Sequence, residues 1–398
     1  MQTFTAKEYL QIDVASNFGL DKKDWDERLA WFAQNEANLE ELTAQADEPA
    51  LFFAGVQAYR QMQKGQPIGY PISLDATASG MQILSCLTGD RAAAELCNVV
   101  DTEHRRDPYT IIYEIMTQRI GEAAKISREN TKQAIMTSLY GSVAMPKQVF
   151  GDGMLYYTFL AVMGEQAPAV WELNQVMLDI WDPTVLSHDW IMPDNFHVHV
   201  KVMDQVREVI HFLNEPFEVS KRINRPVEGG RSLGANLTHS VDALVVREMT
   251  RRCMYHQPTI DFIVNFLDGH TEKRLESKDD LMVATMAKHH AESGYLSARI
   301  LEHLTPANAG HIDEALIWEL LDSLPKKPFN ILSIHDCFRC HPNYGNDLRK
   351  QYNNQLHLLA RSNMLGFLLS QILNRPITAG KADPHLFKDV LAANYALS

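Results

Sequence analysis

Tyr70-Pro71-Ile72-Ser73-Leu74-Asp75-Ala76-Thr77-Ala78-Ser79-Gly80 is an apolar run that ends on a carboxylate and then gives way to small residues. It reads as a short strand, Tyr70 to Leu74, running into Asp75, with a helix from Ser79 to Cys86. Small residues after Asp75 let a ligand approach the backbone closely. Asp75 is a candidate metal ligand or, more plainly, a helix cap. A stretch far along the chain has the same character. Phe329-Asn330-Ile331-Leu332-Ser333-Ile334 reads as a strand, meets His335-Asp336, and resumes as Cys337-Phe338-Arg339-Cys340. A turn there presents a second carboxylate, and the plain alternative is a turn aspartate bonded to its own backbone. Burying an ionised Asp in that setting is costly unless a cation pairs it. Brought together, Asp75 and Asp336 would hold two divalent ions, one activating an attacking oxygen and one stabilising a leaving oxygen.

Between these stretches, Arg128, Lys132, Met136 and Tyr140 recur every four residues, so they line one face of a helix expected over 127–139. Gly141 follows at its end. Two cations followed by a ring suit a triphosphate, with the phosphates on the cations and the ring near sugar and base. A solvated basic stripe with a core tyrosine fits the same spacing.

Elsewhere the pattern is mostly helical. Helices are expected over 24–45, with Asp21 as a possible cap, and over 51–63, 107–120 and 233–252. One long amphipathic helix is expected over 347–373. Residues 184–213 are rich in β-branched residues and alternate, as strands do. Residues 253–325 read as a helical insertion of mixed polarity, and its pair His289-His290 reads as surface. The strands are few and far apart, so the sheet must be assembled from distant segments.

The chain has 398 residues, 45 % apolar and 22 % charged, which are globular proportions. No run is long and apolar enough for a membrane span, and the start has no signal-peptide pattern. Five cysteines do not make a disulfide framework, and Cys337-x-x-Cys340 has no second pair to complete a zinc site. A soluble protein of a reducing cytoplasm is expected. The net charge of −13 has the wrong sign for holding phosphate backbones. Local cations at Arg105-Arg106, Lys221-Arg222-Arg225 and Arg247-Arg251-Arg252 are modest patches.

Leu74 to Gln82 resembles motif A of the single-subunit, phage-type DNA-directed RNA polymerases. Arg128-Glu129-Asn130-Thr131-Lys132, continuing through Met136-Thr137 to Tyr140-Gly141-Ser142, resembles their motif B. Ile334-His335-Asp336-Cys337-Phe338 resembles motif C, and the order is right. Phe53 to Gln57, Gly19-Leu20-Asp21-Lys22, Asn236-Leu237-Thr238-His239-Ser240 and the ending Phe387 to Ser398 are lesser similarities. The resemblance implies an α+β, mostly helical right-hand fold. Residues 1–92 would be palm, 93–238 fingers with a hairpin about 196–225, and 239–398 palm with the insertion and a C-terminal foot. It implies that Asp75, Asp336 and the Ala76 carbonyl hold two Mg²⁺ ions. Arg128, Lys132 and Lys22 would meet the triphosphate, with Gly141 beside them, and Tyr140 with His239 would favour ribonucleotides. DNA template and RNA product are the implied partners, in the cytoplasm of an infected bacterium.

The family's N-terminal domain, thumb and Asp-x-x-Gly-Arg palm segment have no counterpart here. Gly230-Arg231 follows motif B and has Val227 where that Asp should stand. A split enzyme is therefore expected, of the two-subunit kind found in N4-like bacteriophages. Its second subunit would supply the missing parts, and an accessory protein would deliver single-stranded template. A family A DNA polymerase fragment, an inactive polymerase-like scaffold and a metal phosphohydrolase are the competing readings. The first of these usually has a Glu a few residues after the first Asp, where Ser79-Gly80-Met81 follow here, and favours Glu after His-Asp, where Cys337 stands.

Overall fold

The computed structural model describes residues 1–121, 126–230, 232–269 and 281–398. Helices dominate, and among the described residues seven strands form three small antiparallel sheets. One sheet has three strands among the described residues. β1 (Ile72–Asp75) and β6 (Ile331–Ile334) flank β7 (Cys337–Cys340). β6 and β7 pair Ile334 with Cys337, so His335 and Asp336 are the two turn residues. His335 takes φ +55°, which costs a residue with a side chain roughly 1–2 kcal/mol. That tight turn lets the Ala76 amide donate to the Asp336 carbonyl at 3.2 Å.

Both ends of the chain hold β1 in place. Helix Ala6–Ala15, opened by a Thr5/Glu8 capping box, presents Asp13 to its outer edge. The Asp13 carboxylate accepts from the Ser73 amide at 2.7 Å, the Tyr70 hydroxyl at 2.7 Å and the Asn17 amide at 3.0 Å. Even so, burial pushes its pKa up to about 6. Beyond the strand, the Ser398 amide donates to the Asp75 carbonyl at 2.9 Å, and the Thr77 hydroxyl donates to the Tyr395 carbonyl at 2.9 Å.

Helix Ser79–Thr88 is buried from Gly80 onward, and Gln82 is its polar anchor. The Gln82 amide donates to the Cys97 and Ala396 carbonyls, both at 2.9 Å, and its carbonyl accepts from the Tyr352 hydroxyl at 2.8 Å. Gln82→Leu leaves three buried groups short of a partner. It should lower unfolding free energy by about 2–4 kcal/mol in denaturant titration. A loss below about 1 kcal/mol would contradict this bonding pattern.

Four further strands form two hairpins. β2 (Ser187–Ile191) pairs with β3 (His197–Lys201), and β4 (Met203–Phe212) pairs with β5 (Glu215–Asn224). The single hairpin expected over 196–225 is thus divided, because β3 returns along β2. One apolar core runs from Phe4 to Leu397, while residues 263–320 contribute a separate small core of their own.

Several expectations are corrected. The 24–45 segment is an α-helix, Trp25–Asn35, followed by a 3₁₀ stretch, Glu36–Gln45, and its cap is Asp24 rather than Asp21. The long C-terminal helix is two, Gly345–Arg361 and Met364–Ile372. Ser362 breaks it with an extended ψ of 163°, and the Asn363 amide turns to the Ser293 carbonyl at 2.7 Å. His289 is buried at 8 % exposure, because its helix packs on Phe367 and the insertion core. Arg247 and Arg251 both pair with buried Asp194, and Arg252 is fully buried, so these three make no surface patch. Arg231 and residues 270–280 of the insertion lie outside the described residues.

Candidate active site

β1 ends on Asp75, and the β6–β7 turn carries Asp336 beside it. Both line a cavity of about 540 Å³, together with Ala76 through Met81 of the segment after β1. The opposite wall comes from two helices. Arg128–Leu139, capped by Ser127, contributes Lys132 and Met136, with Tyr140 at its C-cap. Ser232–Cys253 contributes His239 and Asp242. Residues from four distant stretches thus meet in one place. A pocket of this size that gathers several polar groups is a default ligand site.

Asp75 stays open to the cavity, but its surroundings strip away part of its water. That loss, and then the nearby Asp336 charge, push the Asp75 carboxyl up to about 6. Two carboxylates that resist joint ionisation, with the Ala76 backbone between them, suit divalent cations. A bound cation removes the repulsion that raises the pKa.

Across the cavity the Lys132 ammonium lies 5.6 Å from the Tyr109 ring centre, over its face. Tyr140 and His239 rings lie 4.8 Å apart at 41°. Burial, and then Asp242 and Asp336, hold the Tyr140 phenol above its ordinary pKa, so it remains a hydroxyl. Gly80 makes room for it, because a Cβ there would sit 2.6 Å from the Tyr140 hydroxyl oxygen. A small residue in the first segment is thereby matched to the ring of the second.

Three expected residues are not in the cavity lining. Arg128 donates to Thr110 Oγ1 at 2.7 Å and pairs with Asp107, one turn from Lys132. Lys22 is half-exposed, and its ammonium lies 3.7 Å from Asp21. Gly141 is buried behind Tyr140, and its φ of +83° ends the helix. Asp242 and Tyr109 are lining residues that sequence reasoning missed, and Asp242 is the titratable carboxylate of the two. Burial and Asp336 raise its pKa to about 6. The signal was its position, one helical turn after His239 on the same face. No cluster of three or more His, Cys, Asp or Glu side chains with metal-binding geometry exists among the described residues. Any cation here rests on Asp75, Asp336 and backbone or substrate oxygens.

Part of the chain is similar in sequence to known proteins. Residues 4–151 match the family described as DNA-dependent RNA polymerase, a span that includes Asp75, Lys132 and Tyr140. A probable DNA-directed RNA polymerase of Neurospora crassa is 32 % identical over 154 residues, 33 % of this chain and 17 % of that protein. One from Gelasinospora sp. is 22 % identical over 375 residues, 86 % of this chain and 40 % of that protein. The DNA-directed RNA polymerase of Pseudomonas phage phiKMV is 27 % identical over 169 residues, 34 % of this chain and 21 % of that protein. The match spans less than half the length of each of these three relatives. Asp75, Lys132 and Tyr140, which face one cavity, thus lie inside the span, residues 4–151, over which this chain is similar to DNA-dependent RNA polymerases.

Proposed function

We propose that this chain is the catalytic part of a DNA-directed RNA polymerase, joining ribonucleotides to an RNA 3′-hydroxyl on a DNA template. The observation that carries the reading is the convergence of Asp75, Asp336, Lys132, Tyr140 and His239 on one cavity. In it, residues 1–92 and 239–398 form the palm, 93–238 the fingers, and the residues after Phe387 a foot. Asp75 and Asp336 would hold two Mg²⁺ ions with the Ala76 carbonyl. Those ions would supply charge stabilisation and a more nucleophilic hydroxyl in an in-line transfer. Lys132 orients the triphosphate, and Arg128 joins it if it leaves Asp107. Tyr140 presents its hydroxyl to the sugar, steadied by the His239 ring.

Tyr140→Phe tests the sugar contact. A site built to bond a hydroxyl derives much of its selectivity from that bond. The variant should incorporate deoxyribonucleotides at least tenfold more readily relative to ribonucleotides, with addition itself retained. Unchanged discrimination in competition assays would sink this role.

The reading includes a second subunit. Among the described residues β6 is an edge strand whose one strand partner is β7, and its Leu332 and Ile334 are 60 % and 56 % exposed. Such an edge accepts a further strand, and the family's Asp-x-x-Gly-Arg palm segment would fit that need. The cations of this chain are mostly engaged. Lys221 pairs with Glu208, Arg225 with Asp204, and the net charge is −13. The chain alone should therefore fail to initiate on duplex promoter DNA. Robust promoter-dependent synthesis by the single chain would refute the split-enzyme reading. Activity restored by a co-expressed protein carrying the missing segment would support it.

A further inference from the structure

A second cavity, of about 420 Å³, lies where the insertion meets helix Gly345–Arg361, and it shares no lining residue with the cavity around Asp75. One of its walls is Arg252, which is 0 % exposed. The Arg252 Nε donates to Gln351 Oε1 at 2.8 Å, and Nη2 reaches the Ser323 carbonyl and hydroxyl. Nη1 has no hydrogen-bond partner among the described residues. Glu248, one turn earlier on the same helix, is engaged by Arg251, Ser297 and the Ala298 amide. A buried guanidinium with no direct carboxylate partner is costly, since removing a charge from water is offset only by close pairing.

The remaining walls define what would pair with it. Arg361 is bonded to Glu319 at 2.8 Å, so that couple brings no net charge. His290 has an unpartnered Nδ1, and burial lowers its pKa, which favours the neutral ring. Glu248 attracts Arg252 through space, but Arg252 has no carboxylate in hydrogen-bond contact among the described residues and its Nη1 is left unpartnered there. Leu316, Leu320 and Leu358 supply an apolar surface beside it. The volume falls in the range of small-molecule sites.

We infer that this cavity binds a small monocarboxylate with an apolar body, its carboxylate toward Arg252 and its body against the leucines. A dianion would bring a second charge with no cation free to meet it. A neutral molecule would leave the guanidinium as it is. This site goes beyond the polymerase reading, and its test uses no nucleotide.

The test is calorimetric titration of the full chain with octanoate, 1-octanol and octyl phosphate. Octanoate should bind saturably at one site, at least tenfold more tightly than either of the others. Arg252→Gln should weaken octanoate at least tenfold and leave octanol unchanged. Leu316→Trp, which fills the apolar wall and spares the charge, should weaken octanoate and octanol alike. Circular dichroism checks that each variant is folded, and either folded variant suffices. No saturable octanoate binding, equal affinity for octanoate and octanol, or octanoate binding undiminished in a folded variant would overturn the assignment.

Discussion

Asp75→Asn and Asp336→Asn are each expected to lower nucleotide addition by about a thousandfold or more, and neither should weaken the fold. Each change keeps the side-chain shape and deletes one charge from the cation site. Stabilisation of a transferring phosphoryl group by metal is worth several kcal/mol, and each 1.36 kcal/mol is a factor of ten. The fold should not suffer, because the two carboxylates repel one another. Asp75 already carries a pKa raised to about 6, by lost hydration first and Asp336 second. A raised folded-state pKa means that ionisation of Asp75 opposes folding, an effect absent below its unfolded value and felt as the pH rises through about 6. In metal-free buffer at neutral pH, Asp75→Asn should therefore melt at or above the wild-type temperature. Near-normal turnover in either variant would remove the metal-site assignment. A large loss of stability would show that the carboxylate serves the fold instead.

Lys132→Ala is the second large effect. Its ammonium lines the cavity opposite the carboxylates and lies over the Tyr109 ring. A preorganised cation aimed at developing phosphate charge contributes on the order of a hundredfold to a thousandfold in rate. The loss should be the same for ribonucleotides and deoxyribonucleotides, because the triphosphate is common to both. That separates Lys132 from Tyr140, whose removal changes the ratio between sugars. Steady-state single-nucleotide addition with matched rNTP and dNTP measures both. A Lys132→Ala defect confined to one sugar would contradict the triphosphate role.

Part of the cavity lining was legible in the sequence where short-range chemistry and spacing coincide. Asp75 and Asp336 were legible because each interrupts an apolar strand at a turn. Lys132 and Tyr140 were legible from their place on one helix face. Arg128 lies on the same face, yet its guanidinium is engaged by Asp107, which the sequence places only at the start of another helix. The burial of Arg252 and His289 was not legible. Both lie in polar stretches, and what covers them is a long-range packing of the insertion against helices from elsewhere in the chain. The break at Ser362-Asn363 was hidden for the same reason, since the Asn363 amide finds its acceptor in Ser293. Asp242 owes its raised pKa to burial first and then to Asp336, a neighbour in space that no local pattern supplies.

Templated addition of a single nucleotide tests the central claim most directly. An RNA primer annealed to a DNA template is incubated with the chain, Mg²⁺ and each ribonucleoside triphosphate in turn, together with the proposed partner protein carrying an Asp-x-x-Gly-Arg segment. The account predicts that only the triphosphate complementary to the template base extends the primer. One pyrophosphate should be released per addition. Extension indifferent to the template base would contradict it. So would triphosphate hydrolysis without extension, or no extension even with the partner present.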